Sequence, residues 1–258
     1  MKFETIKVNL SNRILTVKLN RSEKRNALNP QMILELTNLF EFYKKNKNCK
    51  VVILEGKGTS FCAGMDLAVL KSFKNYKLSQ HLSDAKKLVK LLSVIYEFPK
   101  LTIAKIKGEA FAGGAGLAVV CDLICATNNA KFAFTEVKIG FVPAIISFFV
   151  KKKIASGVVN ELLLTGRIFD SNEAMKIGFV NHIFSENEID SKVLEMAEKI
   201  CESASQNSII ATKQILNKIS STEKKALSRL AKINAKIRLS HDCKKGVEKF
   251  LSKKKLTW

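Results

Sequence analysis

The most informative stretch for the fold is G-E-A-F-A-G-G-A-G-L-A-V-V-C-D-L, residues Gly108–Leu123. It follows the apolar stretch Leu101–Ile106, and its glycines lead into an apolar run that is typical of a helix. A second segment of the same kind, G-T-S-F-C-A-G-M-D at Gly58–Asp66, follows the apolar stretch Val51–Leu54. Both segments predict a buried strand, a loop of small residues and then a helix. In such loops a ligand can approach the backbone closely.

Outward from these two loops, hydrophobic periodicity predicts an α/β protein. The N-terminus alternates apolar and polar residues, which predicts a hairpin of Phe3–Val8 and Ile14–Leu19 turning at Ser11–Asn12. Pro30 opens a helical pattern that runs to Tyr43. Beyond these we predict a strand at Lys131–Phe134 and helices at Leu78–Phe98, Ala144–Ile154, Gly157–Leu164, Ser171–Ile177, Ile189–Ser203, Ser208–Ile219, Thr222–Arg238 and Cys243–Lys253. The chain is thus expected to have a β/α core of about 190 residues and a helical C-terminal part.

The chain is strongly basic. Its 258 residues include 44 Lys and Arg against 23 Asp and Glu, a formal net charge of +21. Clustered basic charge is the footprint of nucleic-acid binding. Here only six of the basic residues are arginines, the type favoured for bidentate phosphate contacts, and the lysines are spread along the chain. The composition therefore disfavours nucleic acid as the partner and leaves room for a smaller, phosphate-bearing ligand.

Cysteine and histidine usage give no sign of a metal or disulfide site. The six cysteines form no C-x-x-C pair, and His81, His182 and His241 share no motif. The sequence begins without an apolar signal segment, and no stretch approaches the roughly 20 apolar residues of a membrane span. We expect a cytoplasmic protein with no metal and no membrane association.

Several motifs, taken in order, resemble those of the enoyl-CoA hydratase/isomerase (crotonase) family over essentially the whole chain. They are N-R-S-E-K-R-N-A-L at Asn20–Leu28, S-F-C-A-G-M-D-L at Ser60–Leu67, the segment Gly108–Leu123, A-K-F-A-F-T-E-V-K-I-G-F-V-P at Ala130–Pro143, L-L-L-T-G-R at Leu162–Arg167, G-F-V-N at Gly178–Asn181 and the C-terminal Ser240–Lys255. Each motif is modest alone, but their order is very specific.

The resemblance implies a spiral of ββα turns followed by a helical C-terminal region. Residues 1–190 would form the spiral β/α core with the active site. Residues 191–258 would form the helical region, which serves oligomerisation and coenzyme A contact. Members of the family assemble as trimers or dimers of trimers, so a homotrimer or homohexamer is expected. The substrate would be an acyl-CoA, and no cofactor is implied beyond the coenzyme A that the substrate carries.

The resemblance also implies a site that stabilises a thioester enolate. The backbone N–H groups of Met65 and Gly113 would form an oxyanion hole, and Glu136 would be the acid/base residue. By analogy with other oxyanion holes, each donor contributes roughly 3–4 kcal/mol.

Coenzyme A would contact three groups of residues in this sequence. Lys24, Arg25 and Ala27 would flank the pantetheine and phosphate end. Ala63, Asp66 and Leu67 would meet the adenine. Lys254 would reach the phosphates of its own or a neighbouring subunit.

The acid/base pattern departs from the family at Gly116. Typical hydratases carry a glutamate three residues after the second oxyanion glycine, and here that substrate-contacting position is Gly116. Adding water to a double bond needs a base for water and an acid for the α-carbon. The carboxylates nearest in sequence to a replacement are Glu97, Glu109, Asp84 and Asp122, and the last of these is expected to be structural.

Three functions remain open from the sequence. The first is a lyase that adds water to a 2-enoyl-CoA, closest to methylglutaconyl-CoA-type hydratases, which share the T-E-V-K-I-G-F-V-P-A-I-I-S segment. The second is a Δ3-Δ2-enoyl-CoA isomerase, in which one glutamate suffices. The third, of another class, is a weakened or non-catalytic protein that binds coenzyme A or RNA.

Overall fold

The computed structural model describes residues 2–258. Six strands form the main sheet in the order β1-β2-β3-β4-β6-β9. They are β1 (Ile6–Ser11), β2 (Ile14–Leu19), β3 (Val51–Gly56), β4 (Leu101–Ile106), β6 (Leu123–Thr127) and β9 (His182–Phe184). Only β1 and β2 pair antiparallel, and every other neighbouring pair in this sheet is parallel. The carboxyl ends of β3 and β4 therefore lie side by side, and the two glycine-containing loops follow them.

A second sheet of three short strands lies beside the first. It consists of β5 (Glu109–Phe111), β7 (Lys131–Ala133) and β8 (Ile168–Asp170) in the order β5-β7-β8. Because β5 lies at the start of the segment Gly108–Leu123 and pairs parallel with β7, this sheet fixes the first residues of that segment.

Eleven α-helices and three short 3₁₀-helices lie within residues 2–258. The α-helices are α1 (Pro30–Tyr43), α2 (Leu67–Ser72), α3 (Leu78–Tyr96), α4 (Gly113–Val119), α5 (Ala144–Val150), α6 (Ser156–Thr165), α7 (Ser171–Lys176), α8 (Ile189–Ser203), α9 (Gln206–Leu216), α10 (Ser221–Ile237) and α11 (His241–Leu251). One large hydrophobic core joins the main sheet to α1, α3 and α4, and a smaller core lies between the sheet and α8.

Sequence patterning located most of these elements. The predicted helices are all present within a few residues, and the helix expected after the glycines of Gly108–Leu123 is α4. The hairpin was misplaced, because β1 extends to Ser11 and the turn falls on Asn12 and Arg13, both at positive φ. The three-residue strands β5, β8 and β9 were missed, since so few residues carry little periodic signal.

The fold that the resemblance implied is the fold observed: mixed α/β layers followed by a helical C-terminal region. Within residues 2–258, no helix is long and apolar enough to cross a membrane.

Candidate active site

The two small-residue loops pack directly against each other. Cys62 and Ala110 form an isolated parallel bridge, and Phe111 N–H donates to the Cys62 carbonyl over 3.0 Å. Gly114 lies so close that an added Cβ would come within 2.1 Å of the Cys62 carbonyl oxygen. A glycine is required there because any side chain would push the loops apart.

This packing presents two backbone N–H groups to the same space. Leu28 is hydrogen-bonded to both neighbours of Met65. Its N–H donates to the Gly64 carbonyl, and its carbonyl accepts from Asp66 N–H. Among residues 2–258 no acceptor bonds the N–H of Met65 or that of Gly113, the first residue of α4. Both groups are therefore available to a ligand oxygen.

Ala112 holds a strained conformation directly before Gly113. Its φ is 46° and its ψ is −116°, a combination that a residue with a Cβ rarely adopts. The surrounding bonds impose it, because Ala112 N–H donates to the Ala133 carbonyl and its own carbonyl accepts from Gly116 N–H. Strain of this kind costs about 1–3 kcal/mol and is typical of functional sites. Here it sets the direction of the following peptide N–H.

Glu136 is buried on a 3₁₀-helix, Thr135–Ile139. Its Oε2 atom is buried, and no described residue donates a hydrogen bond to it. Burial raises the pKa of this carboxyl to about 7, and a hydrogen bond from its own backbone opposes the shift only in part. A carboxyl with a pKa near neutrality can both accept and return a proton at physiological pH.

The C-terminal helix α11 packs onto the segment that carries Glu136. At Gly246 an added Cβ would lie 2.4 Å from the Ile139 carbonyl oxygen. On the other side, Phe141 N–H donates to the Glu136 carbonyl over 2.9 Å. These contacts fix the position of the glutamate although it lies on a short, non-regular element.

A single cavity of about 900 Å³ contacts Met65, Gly113 and Glu136. Its apolar interior includes Leu28, Leu70, Leu88, Phe141, Val142, Ile145 and Ile146. Exposed basic side chains line another part of the wall: Lys24, Arg25, Lys138 and Lys254. The cavity thus joins an apolar chamber to a positively charged mouth.

Of the eight residues expected to bind substrate, seven line this cavity. They are Lys24, Arg25, Ala27, Ala63, Asp66, Leu67 and Lys254. The Arg25 guanidinium pairs with Glu109 over 3.0 Å at the surface. The Asp66 carboxylate is already engaged, since it pairs with Arg21 over 2.6 Å and accepts from Ala68 N–H at the start of α2. Asp66 can therefore contact a ligand mainly through its backbone.

The eighth residue, Gly116, is buried and does not contact the cavity. An added Cβ would lie 3.0 Å from Cγ1 of Ile146, and it is Ile146 that lines the cavity. The position of the second family glutamate is therefore covered by an isoleucine side chain.

Four carboxylates line the cavity, and three are exposed or paired. Glu23 is exposed, Asp66 pairs with Arg21, and Asp84 pairs with Arg238 over 2.5 Å. Glu136 is the buried one with no charged partner among residues 2–258. The other sequence candidates lie elsewhere: Asp122 binds Lys213 and Asn217, Glu97 accepts from Ile219 N–H, and Glu109 pairs with Arg25.

Two buried polar residues of the cavity wall escaped sequence reasoning. Asn234 and Arg238 line the cavity from the end of α10, and both are at least 95% buried. They stand four residues apart, so they share one helix face. That spacing was the only available signal, and it does not distinguish a cavity wall from ordinary packing.

Within residues 2–258, no group of three or more His, Cys, Asp or Glu side chains is placed to hold a metal ion. The site offers a ligand two free backbone donors and one buried carboxyl.

Comparison with known proteins agrees with this geometry. A Thermus thermophilus protein named as a candidate enoyl-CoA hydratase is 35% identical, over 93% of this chain and 95% of its own. The (E)-benzylidenesuccinyl-CoA hydratase of Thauera aromatica is 31% identical, over 81% of this chain and 80% of its own. An enoyl-CoA hydratase/isomerase structure from Xanthobacter autotrophicus Py2 superimposes with a TM-score of 0.88 at 24% identity, covering 96% of this chain and 93% of its own, and so shares the fold. The enoyl-CoA hydratase/isomerase family model matches residues 9–258, and the chain belongs to that family.

Proposed function

We propose that this protein hydrates a 2-enoyl-CoA, with Glu136 as its single acid/base residue. The observation that carries the proposal is the arrangement of two unpartnered N–H groups, on Met65 and Gly113, around the cavity that also contacts a buried carboxyl with a pKa of about 7. The names of the relatives support hydration over other enolate reactions.

The oxyanion hole acts on the thioester carbonyl. As the enolate forms, negative charge develops on this oxygen, and the N–H groups of Met65 and Gly113 donate to it. The donors belong to backbone fixed by the contact between the two loops, so little reorganisation is needed during the reaction.

Glu136 then moves one proton twice. Its carboxylate removes a proton from water, and the water oxygen forms a bond to C3 of the enoyl group. The π electrons of C2=C3 shift to give the enolate held by the two N–H groups. The new carboxylic acid returns the proton to C2, which yields the 3-hydroxyacyl-CoA and regenerates the carboxylate. A pKa near 7 suits both halves of this cycle.

The charged mouth suits coenzyme A. Lys24, Arg25 and Lys254 offer cationic groups to its phosphates. The apolar chamber beyond the oxyanion hole accepts the acyl chain. No cofactor is required beyond the coenzyme A of the substrate.

A Δ3-Δ2-enoyl-CoA isomerase is the second candidate, because in the part of the chain that the structure describes no second buried, unpaired carboxylate lines the cavity with Glu136. In that reaction Glu136 would take a proton from C2 of a 3-enoyl-CoA and return it to C4, with the dienolate in the same oxyanion hole.

The experiment that separates these functions is turnover of 2-enoyl-CoA and 3-enoyl-CoA in oxygen-18 water, followed by mass spectrometry. We expect the 2-enoyl ester to gain one labelled water and the Glu136→Gln variant to leave it unchanged. Conversion of the 3-enoyl ester without label, and no hydration, would favour the isomerase. Turnover of neither ester, together with salt-sensitive RNA retention that CoA esters do not compete, would overturn both in favour of a binding protein.

We also propose that the chain assembles as a homotrimer or homohexamer. Large apolar side chains of Leu164, Ile168 and Met175 are more than half exposed on neighbouring elements. Light scattering coupled to gel filtration measures the assembly directly, and a monomer at micromolar concentration would contradict it.

A further inference from the structure

The wall of the main cavity contains one hydroxyl side chain, that of Thr135, directly before Glu136. The two residues are the first and second of the 3₁₀-helix Thr135–Ile139, and both line the cavity. Among residues 2–258, no serine, tyrosine or other threonine lines it. The proton transfer assigned to Glu136 makes no use of this hydroxyl.

The hydroxyl of Thr135 is not engaged by the protein. Other threonines use this group internally: Thr102 donates to Asp122, and Thr37 and Thr165 donate to backbone carbonyls of their own helices. Oγ1 of Thr135 makes no such bond with any described residue. The residue is only half-buried, and its oxygen is not among the buried polar atoms that lack a partner. The oxygen is therefore accessible to a small molecule at the cavity wall.

The other polar side chains of the wall are exposed or already bonded. Arg21 pairs with Asp66, Arg238 pairs with Asp84, and Asn234 bonds both Arg238 and the Val142 carbonyl. Five charged side chains are exposed: Glu23, Lys24, Arg25, Lys138 and Lys254. In the described part of the chain, Thr135 and Glu136 are thus the polar wall residues that are neither exposed nor bonded to another side chain.

Hydration needs a second group besides Glu136 to hold the attacking water. One O–H of the water donates to the Glu136 carboxylate, and a lone pair must point at C3 of the enoyl group. A water held by a single hydrogen bond rotates freely, so its other O–H needs an acceptor as well. No carboxylate at position 116 can accept it, because that residue is a glycine covered by Ile146. A hydroxyl oxygen has two lone pairs and can accept the bond without adding a charge beside Glu136.

We infer that Thr135 is a second catalytic residue of hydration, whose Oγ1 accepts a hydrogen bond from the attacking water. This rests on the proposed function and adds a residue to it. The O–H bond that faces Glu136 breaks as the oxygen bonds to C3, and Glu136 takes that proton. The O–H bond that faces Thr135 stays intact and becomes the 3-hydroxyl group of the product. Thr135 therefore orients the water and neither gains nor loses a proton.

The test compares two reactions of which only one uses the water. The first is hydration of a 2-enoyl-CoA. The second is exchange of the C2 hydrogen of a saturated acyl-CoA for deuterium in heavy water, followed by mass spectrometry, which needs Glu136 and the oxyanion hole alone. Thr135→Val removes the hydroxyl at nearly constant shape. We expect it to lower kcat of hydration roughly 10- to 100-fold and to leave the exchange rate close to that of the wild type. Thr135→Ser keeps the hydroxyl and should restore hydration.

The control is Thr212→Val, which changes an exposed threonine of α9 outside the cavity and should leave both rates unchanged. Hydration by Thr135→Val at the wild-type rate would overturn the inference and leave the role of Glu136 standing. A parallel loss of hydration and exchange would also overturn it, because Thr135 would then only support Glu136. If Thr135→Val does not fold, Thr135→Ala gives the same comparison. Absence of hydration by the wild-type protein would instead refute the proposed function itself, so the two failures are distinguishable.

Discussion

Glu136 and Asp84 are carboxylates on the wall of one cavity, in opposite surroundings. Glu136 forms no ion pair within the described chain, residues 2–258, and burial raises its pKa to about 7. Asp84 bonds a buried guanidinium that cancels its charge. Within one fold, the surroundings of a carboxyl group thus determine which of two roles it has. An unpaired buried carboxyl is suited to exchange a proton, and a paired one to present a fixed hydrogen-bonding surface.

The largest expected difference between these regions is catalytic. Glu136→Gln should lower kcat by about 10²- to 10⁴-fold, because the amide can neither take up nor return a proton. Asp84→Asn should instead leave kcat of the folded protein close to the wild-type value, because Asp84 is paired with Arg238 and takes no part in the proton transfer. Steady-state kinetics of both variants, with CoA-ester binding measured separately, checks this. A near-normal kcat in Glu136→Gln would contradict the catalytic role of Glu136.

The two substitutions should also change stability in opposite directions. Folding raises the pKa of Glu136 from 4.5 to about 7, so the folded state holds this proton more tightly than the unfolded state. The contribution of this proton to the free energy of unfolding is complete below pH 4.5. It is lost as the pH rises to about 7, and the free energy of unfolding then falls by about 3 kcal/mol. Glu136→Gln does not titrate, so its stability relative to wild type should be greater at pH 8 than at pH 5.

Asp84→Asn leaves the buried Arg238 charge uncompensated and should destabilise the protein by about 3–5 kcal/mol. Urea unfolding at pH 5 and pH 8 measures both effects. Equal wild-type and Glu136→Gln stabilities at every pH would show that the glutamate titrates normally.

A third prediction adds a carboxylate to the Glu136 end of the cavity. Gly116→Glu alone should fold poorly, because Ile146 occupies the space next to Gly116. Gly116→Glu/Ile146→Ala provides room, and a second negative charge should raise the pKa of Glu136. The acidic limb of kcat/KM, expected near pH 7 in the wild type, should move up by about one unit. Ile146→Ala is the matched control. If the acidic limb of kcat/KM does not move, the new carboxylate does not lie close to Glu136.

The smallest effect is expected at the mouth, away from both carboxylates. Lys254→Glu should raise KM for a CoA ester about 2- to 5-fold with little change in kcat, since an exposed charge contributes about 1 kcal/mol or less. A pantetheine thioester without the nucleotide phosphates should show no such change. Lys224→Glu, an exposed lysine that does not contact this cavity, is the control. An equal rise in KM for both variants would indicate only general attraction by the basic surface.

The sequence predicted the part of the site that lies on local motifs. Met65, Gly113 and Glu136 each follow a strand or a small-residue loop whose pattern spans fewer than ten residues. The structure brings all three to one cavity. The fold could be predicted for the same reason, because strand, loop and helix are read from consecutive residues.

The Asp84–Arg238 pair could not be predicted, because it joins residues 154 positions apart. Only the packing of α3 against α10 brings them together, and neither helix carries a sign of its partner. Likewise, the covering of Gly116 by Ile146 depends on how α5 meets α4, and a missing glutamate in a motif does not say what fills its place.

The close contact of α11 with the Glu136 segment has a consequence for the newly made chain. Gly246 rests on Ile139, so the segment lacks one of its packing surfaces until α11 has been synthesised. At about 5–20 residues per second, the roughly hundred residues between Glu136 and α11 take on the order of 5–20 s to emerge. The packing around this segment is therefore completed only when the last part of the chain has been made.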